Sequence, residues 1–212
     1  MRLNYTYWYF QKALPEKFCD DVISFAKEKK TKLAKTGDYN GFDKLNRKQI
    51  KDLKKVRNSN VVFLSEPWIA KNFMDFAHEA NRAAGWNFDF DSYESMQFTE
   101  YKKDQFYGWH QDSFSDPRVD PNDKILNGKI RKLSMTFSLS DPKDYKGGDL
   151  EFGTNFSIPT TPIQKINTVK CKEISPKGSM VFFPSFVWHK VNPVTKGTRY
   201  SLVIWFNGKP FR

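Results

Sequence analysis

The chain has 212 residues, a mass of 24.9 kDa and 39% hydrophobic residues, enough for one domain with a full core. It carries 35 basic and 24 acidic residues, a net charge of +11. With no apolar run long enough to span a bilayer, and an N-terminus, "MRLNYTYWYF", that lacks the basic-then-apolar layout of a secretory signal, the sequence sets aside a membrane protein and leads to the expectation of a cytoplasmic one.

Taken in chain order, "LPEKFCDDVISFAKEKKTKLAKTG" reads as a helix, with Pro15 near its start, acidic residues early, lysines late and Gly37 behind it. Residues 39 to 57 are polar and read as a loop with a short helix. "SNVVFLS" reads as a strand, and "EPWIAKNFMDFAHEANRAAGW" as a second helix whose apolar stripe is Trp68, Ile69, Phe73, Phe76 and Ala80. His78 in that helix is taken as an ordinary helix residue.

Beyond Gly85 the texture changes. "SYESMQFTEY", "KLSMTFSLS", "DLEF", "CKEISP", "SMVFFP" and "RYSLVIWF" read as short strands, separated by the turn signals "DPKDYKGG", "PKG" and "NPVTKG". The expected fold is therefore mainly β with N-terminal helices, a sandwich or closed barrel within a single domain over 1–212. Residues 1–90 supply the helical cover and first strands, and 91–212 the core. In "KLSMTFSLS", Leu133, Met135, Phe137 and Leu139 alternate with Ser134, Thr136 and Ser138. The apolar set needs a partner such as the helices, and the small polar set faces either solvent or a polar cavity.

Cys19 and Cys171 lie far apart without ligand-like spacing and are read as reduced thiols. Charge is uneven: twelve Lys/Arg and four Asp/Glu fall between Lys27 and Arg57. Such a stretch is a solvated face or greets an anionic partner. Only Tyr39 and Phe42 interleave with it, so no base-stacking platform is indicated.

The chemistry concentrates in "YGWHQDSF". His110 and Asp112 are two apart, so on extended backbone both point the same way. His189 follows in "FFPSFVWHKVNP". Two histidines and one carboxylate are the facial set of non-haem Fe(II) oxygenases, which leaves three metal positions open. Ten residues after His189, Arg199 opens the apolar strand "YSLVIWF". A charge there needs a partner, and a guanidinium suits the distal carboxylate of an iron co-substrate.

With these motifs together, the sequence resembles the 2-oxoglutarate/Fe(II)-dependent dioxygenases, in their prolyl 4-hydroxylase-like branch. The stretches "QFTEYKKDQFYGWHQD", "RKLSMTFSLSDPKDYKGGDLEF" and "PKGSMVFFPSFVWHKVNPVTKGTRYSLVIWF" carry the likeness over residues 95 to 207. "YWYFQKALPEKFCDDVISFA" is similar, less specifically, to small hydroxylases of bacteria and their phages. The resemblance implies a double-stranded β-helix (jelly roll) with Fe(II) held by His110, Asp112 and His189. It implies 2-oxoglutarate on the metal with Arg199 on its far carboxylate, O2 as oxidant, ascorbate in support, and succinate and CO2 as co-products.

Tyr101 stands where such enzymes place a tyrosine that meets the same carboxylate. Ser201 and Trp205 share a strand face with Arg199, as a second hydrogen-bond donor and a pocket wall. The strand "SMTFSLS" lacks the bulky tyrosine of some relatives, which makes Thr136 or Ser138 the contact there. Tyr107, Trp109 and Arg57 are expected on the substrate side, and the segments 36–60 and 113–130 as a substrate lid. Asp112 favours hydroxylation over halogenation. The implied substrate is a prolyl residue of a peptide or protein. The alternatives are an oxygenase acting on nucleic acid, favoured by the +11 charge, or on a small molecule, and a non-catalytic jelly-roll metal-binding module.

Overall fold

A computed structural model of the chain describes residues 3–36, 45–113, 116–154 and 167–211. Strand β1 (Trp8–Phe10) and helix α1 (Glu16–Lys27) come first, followed by β2 (Lys32–Leu33), α2 (Arg47–Val56), β3 (Arg57–Asn58) and β4 (Asn60–Leu64). Helices α3 (Pro67–Ala70) and α4 (Met74–Ala83) lead into β5 (Ser92–Tyr93), β6 (Met96–Tyr101), β7 (Phe106–His110) and β8 (Ile130–Ser138). The remainder is β9 (Tyr145–Gly147), β10 (Leu150–Gly153), β11 (Thr168–Lys170), β12 (Met180–Pro184), β13 (His189–Val191), β14 (Val194–Gly197) and β15 (Arg199–Gly208).

The strands form two large sheets. The major sheet runs β1-β12-β8-β15-β6-β4-β2, with β5 added to β15; the minor sheet runs β11-β10-β13-β7-β3. Alternation divides the major sheet into two faces. On one face Leu133, Met135, Phe137 and Leu139 of the β8 region join Leu202, Ile204 and Phe206 of β15. Together with Cys19, Val22 and Ala26 of α1 and Ile69, Phe73, Ala77 and Ala80 around α3 and α4, they form one buried cluster. The opposite face meets the minor sheet through a second cluster that includes Val181, Phe183, Leu150, Phe152 and Val191. Between the sheets, the small polar residues of β8 leave space that aliphatic side chains would fill.

Phe73 is fully buried and packs against Phe137, with ring centroids 5.2 Å apart, and against Phe18. Truncating it to alanine removes the link between helices and sheet. Phe73→Ala is expected to lower the unfolding free energy by about 3–5 kcal/mol, read as a lower urea midpoint at unchanged slope.

Several elements differ from the sequence reading. The first helix stops at Lys27 rather than running toward Gly37, which lies outside the described residues. Its buried stripe, Cys19, Val22 and Ala26, ends there, and the lysine-rich residues that follow have no apolar face to bury. Lys32–Leu33 instead pairs with β4 as an edge strand. The second helix is two, because the Asn72 amide donates to the carbonyls of Trp68 and Ile69 and competes for the helical acceptors.

"CKEISP" is a turn rather than a strand; the strand lies just before it, at Thr168–Lys170. The turn signals around Gly147 and Gly197 hold the strands β9 and β14, which pair with each other. Both glycines have positive φ, and a Cβ at Gly197 would fall 1.9 Å from the Asp144 carbonyl.

Candidate active site

Strand pairing brings the three predicted metal ligands together. His110 closes β7, His189 opens β13, and the two are cross-strand partners. Asp112 lies two residues beyond His110, where its backbone N–H donates to the Ser185 carbonyl at 2.8 Å. One ligand atom from each residue lies within 4.8 Å of the others. His110 Nε2 is 3.7 Å from Asp112 Oδ1, and His189 Nε2 is 3.6 Å from Asp112 Oδ2.

Each histidine is oriented by its own backbone. His110 Nδ1 sits 2.8 Å from the Gly108 carbonyl and His189 Nδ1 3.0 Å from the Val187 carbonyl. A carbonyl only accepts, so each Nδ1–H is the donor and each Nε2 is the ring atom left facing Asp112. Burial, and then the neighbouring His189, push His110 well below the ordinary histidine value, so it is neutral. Burial alone would raise Asp112, but His189, His110, Arg131 and the Ser134 hydrogen bond outweigh it and hold the carboxyl below its usual range. A neutral His110 beside an ionised Asp112 is what metal binding requires, and the buried two-histidine, one-carboxylate donor set fits a divalent iron.

A supporting layer fixes the carboxylate. Ser134 Oγ donates to Asp112 Oδ2 at 2.7 Å and lies 2.9 Å from Ser185 Oγ. Sequence reasoning placed Ser134 in the polar set of its strand but gave it no role, and Ser185 had no signal, because neither adjoins Asp112 in the chain. Ser134→Ala is expected to weaken divalent-metal binding about 10–100-fold while leaving the fold intact, checked by calorimetric titration of the metal-free protein.

Behind the metal ligands runs a cavity lined in part by Tyr101, Thr136, Leu150, Arg199, Ser201 and Trp205. Arg199 is 2% exposed. Its Nη1 donates to Ser201 Oγ at 3.3 Å, its guanidinium lies 5.6 Å from the centre of the Tyr101 ring, and no carboxylate among the described residues pairs with it. A buried, unpaired cation in a cavity is a seat for an anion, and this one fits the far carboxylate of 2-oxoglutarate. Burial pushes the Tyr101 hydroxyl up despite the nearby Arg57 and Arg199, so it remains a proton donor. Gly148 makes room for the arginine: a Cβ there would come within 2.9 Å of Arg199 Cδ.

The other predicted residues divide. Thr136 reaches the cavity wall; Ser138, paired with Ser201 on the neighbouring strand, is not among the lining residues. Tyr107 stacks on His110 with centroids 3.4 Å apart, and burial pushes its hydroxyl up to about 12. Trp109 stands away from the cavity, with Lys190 Nζ 5.0 Å from its ring centre. Trp205 lines the cavity, its indole N–H buried without a partner, and Arg131 stacks on it at 3.8 Å. Arg131, which sequence reasoning passed over, forms two 2.6 Å hydrogen bonds with Glu94.

Arg57 is 5% exposed, stacks 4.3 Å over Tyr107, and has its Nη2 buried without a partner. It lines an outer mouth shared with His110, Asp112, Arg131 and Trp205. Of the two lid candidates, residues 37–44 and 114–115 lie outside the described residues. Part of the first is helix α2, and the second is pinned by reciprocal Arg118–Lys129 and Gly128–Arg118 backbone bonds.

A buried His-Asp-His cluster with a buried arginine behind it, set between two β-sheets, defines a metal-dependent oxygenase type of site. Residues 96–207 match the family model of the 2OG-Fe(II) oxygenase superfamily, and the chain belongs to that family. Membership brings Fe(II), 2-oxoglutarate and O2 as cofactors and co-substrates. A PKHD-type hydroxylase of Alteromonas mediterranea is 36% identical over 108 residues, 51% of this chain and 41% of that protein. The chain spans about two fifths or less of the length of the curated relatives it matches.

A viral collagen prolyl hydroxylase of Paramecium Bursaria Chlorella virus-1, solved as its 2OG complex, superposes with a TM-score of 0.62 at 19% identity, covering 97% of each chain. A prolyl hydroxylase of Trichoplax adhaerens, solved with a hypoxia inducible factor peptide fragment, gives 0.60 at 13% identity, covering 96% of this chain and 84% of that one. These likenesses establish the jelly-roll fold. No helix among the described residues is long and apolar enough to cross a membrane.

Proposed function

We propose that the chain is a 2-oxoglutarate- and Fe(II)-dependent dioxygenase that hydroxylates a C–H bond of a prolyl residue in a peptide or protein, with residues 1–212 acting as one catalytic domain. The observation that carries the oxygenase reading is the unpaired, buried Arg199 behind the His110–Asp112–His189 cluster. Bound there, Fe(II) with 2-oxoglutarate supplies the oxidising chemistry, in which O2 is split between succinate and the substrate hydroxyl and CO2 is released.

The chain's own residues then have separate tasks. His110, Asp112 and His189 hold the metal; Ser134 keeps Asp112 in place. Arg199, Ser201 and Tyr101 fix the far carboxylate of the co-substrate, with Thr136 on the cavity wall. Trp205 and the Tyr107–His110 stack exclude water from the reacting side.

Two orphaned donors support a peptide substrate: Arg57 Nη2 and Trp205 Nε1 are buried at the mouth without partners. Backbone carbonyls of an extended peptide are the acceptors such donors need. The nearby likeness to a prolyl hydroxylase solved with a peptide agrees with this.

The test is succinate formation with Fe(II), 2-oxoglutarate and ascorbate, with and without proline-containing peptides. Peptide-stimulated turnover, with one oxygen added at proline by mass spectrometry, is the expected result. Arg57→Ala is expected to raise the peptide KM about tenfold and leave the 2-oxoglutarate KM unchanged. Slow turnover indifferent to every peptide would reject the prolyl reading and retain the oxygenase.

A further inference from the structure

The inner face of the major sheet does not end at the metal. Phe63 of β4 is the cross-strand partner of Gln97 on β6, and Lys32 of β2 is the partner of Val61 on β4. Val62 and Leu64 turn to the buried helical side, so Val61 and Phe63 turn to the face that holds the site. Phe63 is nevertheless 58% exposed. One exposed aromatic is ordinary by itself; here it forms the floor of a groove together with Leu33 and Val61.

Around it lies a groove lined by Lys29, Lys30, Lys32 and Lys35, with Leu33, Val61 and Phe63 as an apolar floor and no acidic residue among the described lining residues. Lys29 is partly neutralised by Glu66 at 2.9 Å, whereas Lys30 and Lys32 are exposed. The groove runs into the active-site mouth: Lys35, Phe63 and Gln97 line both, and Gln97 also lines the metal cavity. This gathers the strongest part of the basic stretch at the entrance to the site.

Resting on the reading of the chain as a peptide hydroxylase, we propose that this groove binds an acidic segment of the substrate peptide, next to the residue that is hydroxylated. The floor takes an apolar or aliphatic side chain on Phe63, and the lysines take Asp or Glu carboxylates. Crossing from β6 to β2 spans two strand spacings, about 10 Å, or roughly three extended residues. The acidic positions therefore begin about three residues from the target. A peptide fits better than a nucleic acid because Phe63 is the one aromatic among the described lining residues, too few for successive bases to stack.

The experiment measures fluorescence anisotropy of labelled proline-centred peptides that differ only in a flanking Glu-Glu, Gln-Gln or Lys-Lys pair, beside a single-stranded oligonucleotide of similar length. The full chain is compared with the K30E/K32E variant and with K172E/K196E, which changes net charge equally at exposed lysines elsewhere. Expected is about tenfold tighter binding of the Glu-Glu peptide than of the Gln-Gln peptide by the parent chain, weakened by salt. That preference disappears in K30E/K32E and survives in K172E/K196E.

Equal binding of the three peptides overturns the proposal, as does equal loss in both variants, which would mean net charge alone. Tighter oligonucleotide binding that K30E/K32E abolishes overturns it in favour of nucleic acid. Succinate release in parallel reports on the hydroxylase reading alone: acidic peptides that bind the groove but are never hydroxylated leave the groove standing and remove the catalytic assignment.

Discussion

Replacing Arg199 by alanine is expected to raise the 2-oxoglutarate KM about 100-fold, the value of a charge-assisted, two-pronged hydrogen bond in a dry site. The effect is specific to one end of the co-substrate. The parent chain should prefer 2-oxoglutarate strongly over a 2-oxo acid with no second carboxylate, and in Arg199→Ala that preference should collapse. Arg199→Lys keeps the charge but not the planar fork, and is expected to fall between the two. Removing a buried cation that pairs with no carboxylate among the described residues leaves no orphaned anion there, so the alanine variant should fold. A variant that unfolds at the parent's midpoint yet retains the parent KM would remove Arg199 from the co-substrate pocket.

His110→Ala is expected to abolish succinate formation, a loss of at least about 1000-fold. His110 supplies one of three ligand atoms in the cluster, and its ring is held by both the Gly108 carbonyl and the Tyr107 stack. Without it, two ligands remain, and metal titration should show weaker binding in proportion to the lost turnover. His78→Ala is the matched control. That histidine stacks on Phe90, with centroids 4.7 Å apart, and is not part of the metal cluster, so its loss should leave metal binding unchanged. Turnover that survives in His110→Ala at saturating Fe(II) would show that the cluster is not the reaction centre.

How much of this was legible in the sequence depended on the range of the interaction. Alternation exposed β8 and β15, because a strand with one buried apolar face repeats every two residues whatever its partners. The His-x-Asp pair was legible because both residues sit on one short segment. His189 and Arg199 were reached through their spacing and a resemblance, not through any local rule. Ser134 and Ser185 were not reached as Asp112's supports, since their roles exist only after β8, β12 and the loop beyond β7 are folded together. Of the two aromatics expected on the substrate side of His110, Tyr107 lines the cavity and Trp109 does not. The helix limits failed where side chains compete for backbone carbonyls, as Asn72 does, or where an apolar stripe ends before the helical composition does.

Strand β15 works as a ruler. Arg199, Ser201, Val203 and Trp205 line the cavity at every second position, while Leu202, Ile204 and Phe206 are core. Its pairing with β8 stays regular until the irregularity between Phe206 and Asn207, just past the last cavity residue. Slipping the strand by one residue would exchange the whole cavity-facing column, its arginine and serine included, for a wholly apolar one in a single event. Substrate range in this protein can therefore drift by substitution along the column, or by insertion in the loops. The length of β15 before Phe206 is closed to change, and a lineage that altered it would lose the site and the core together.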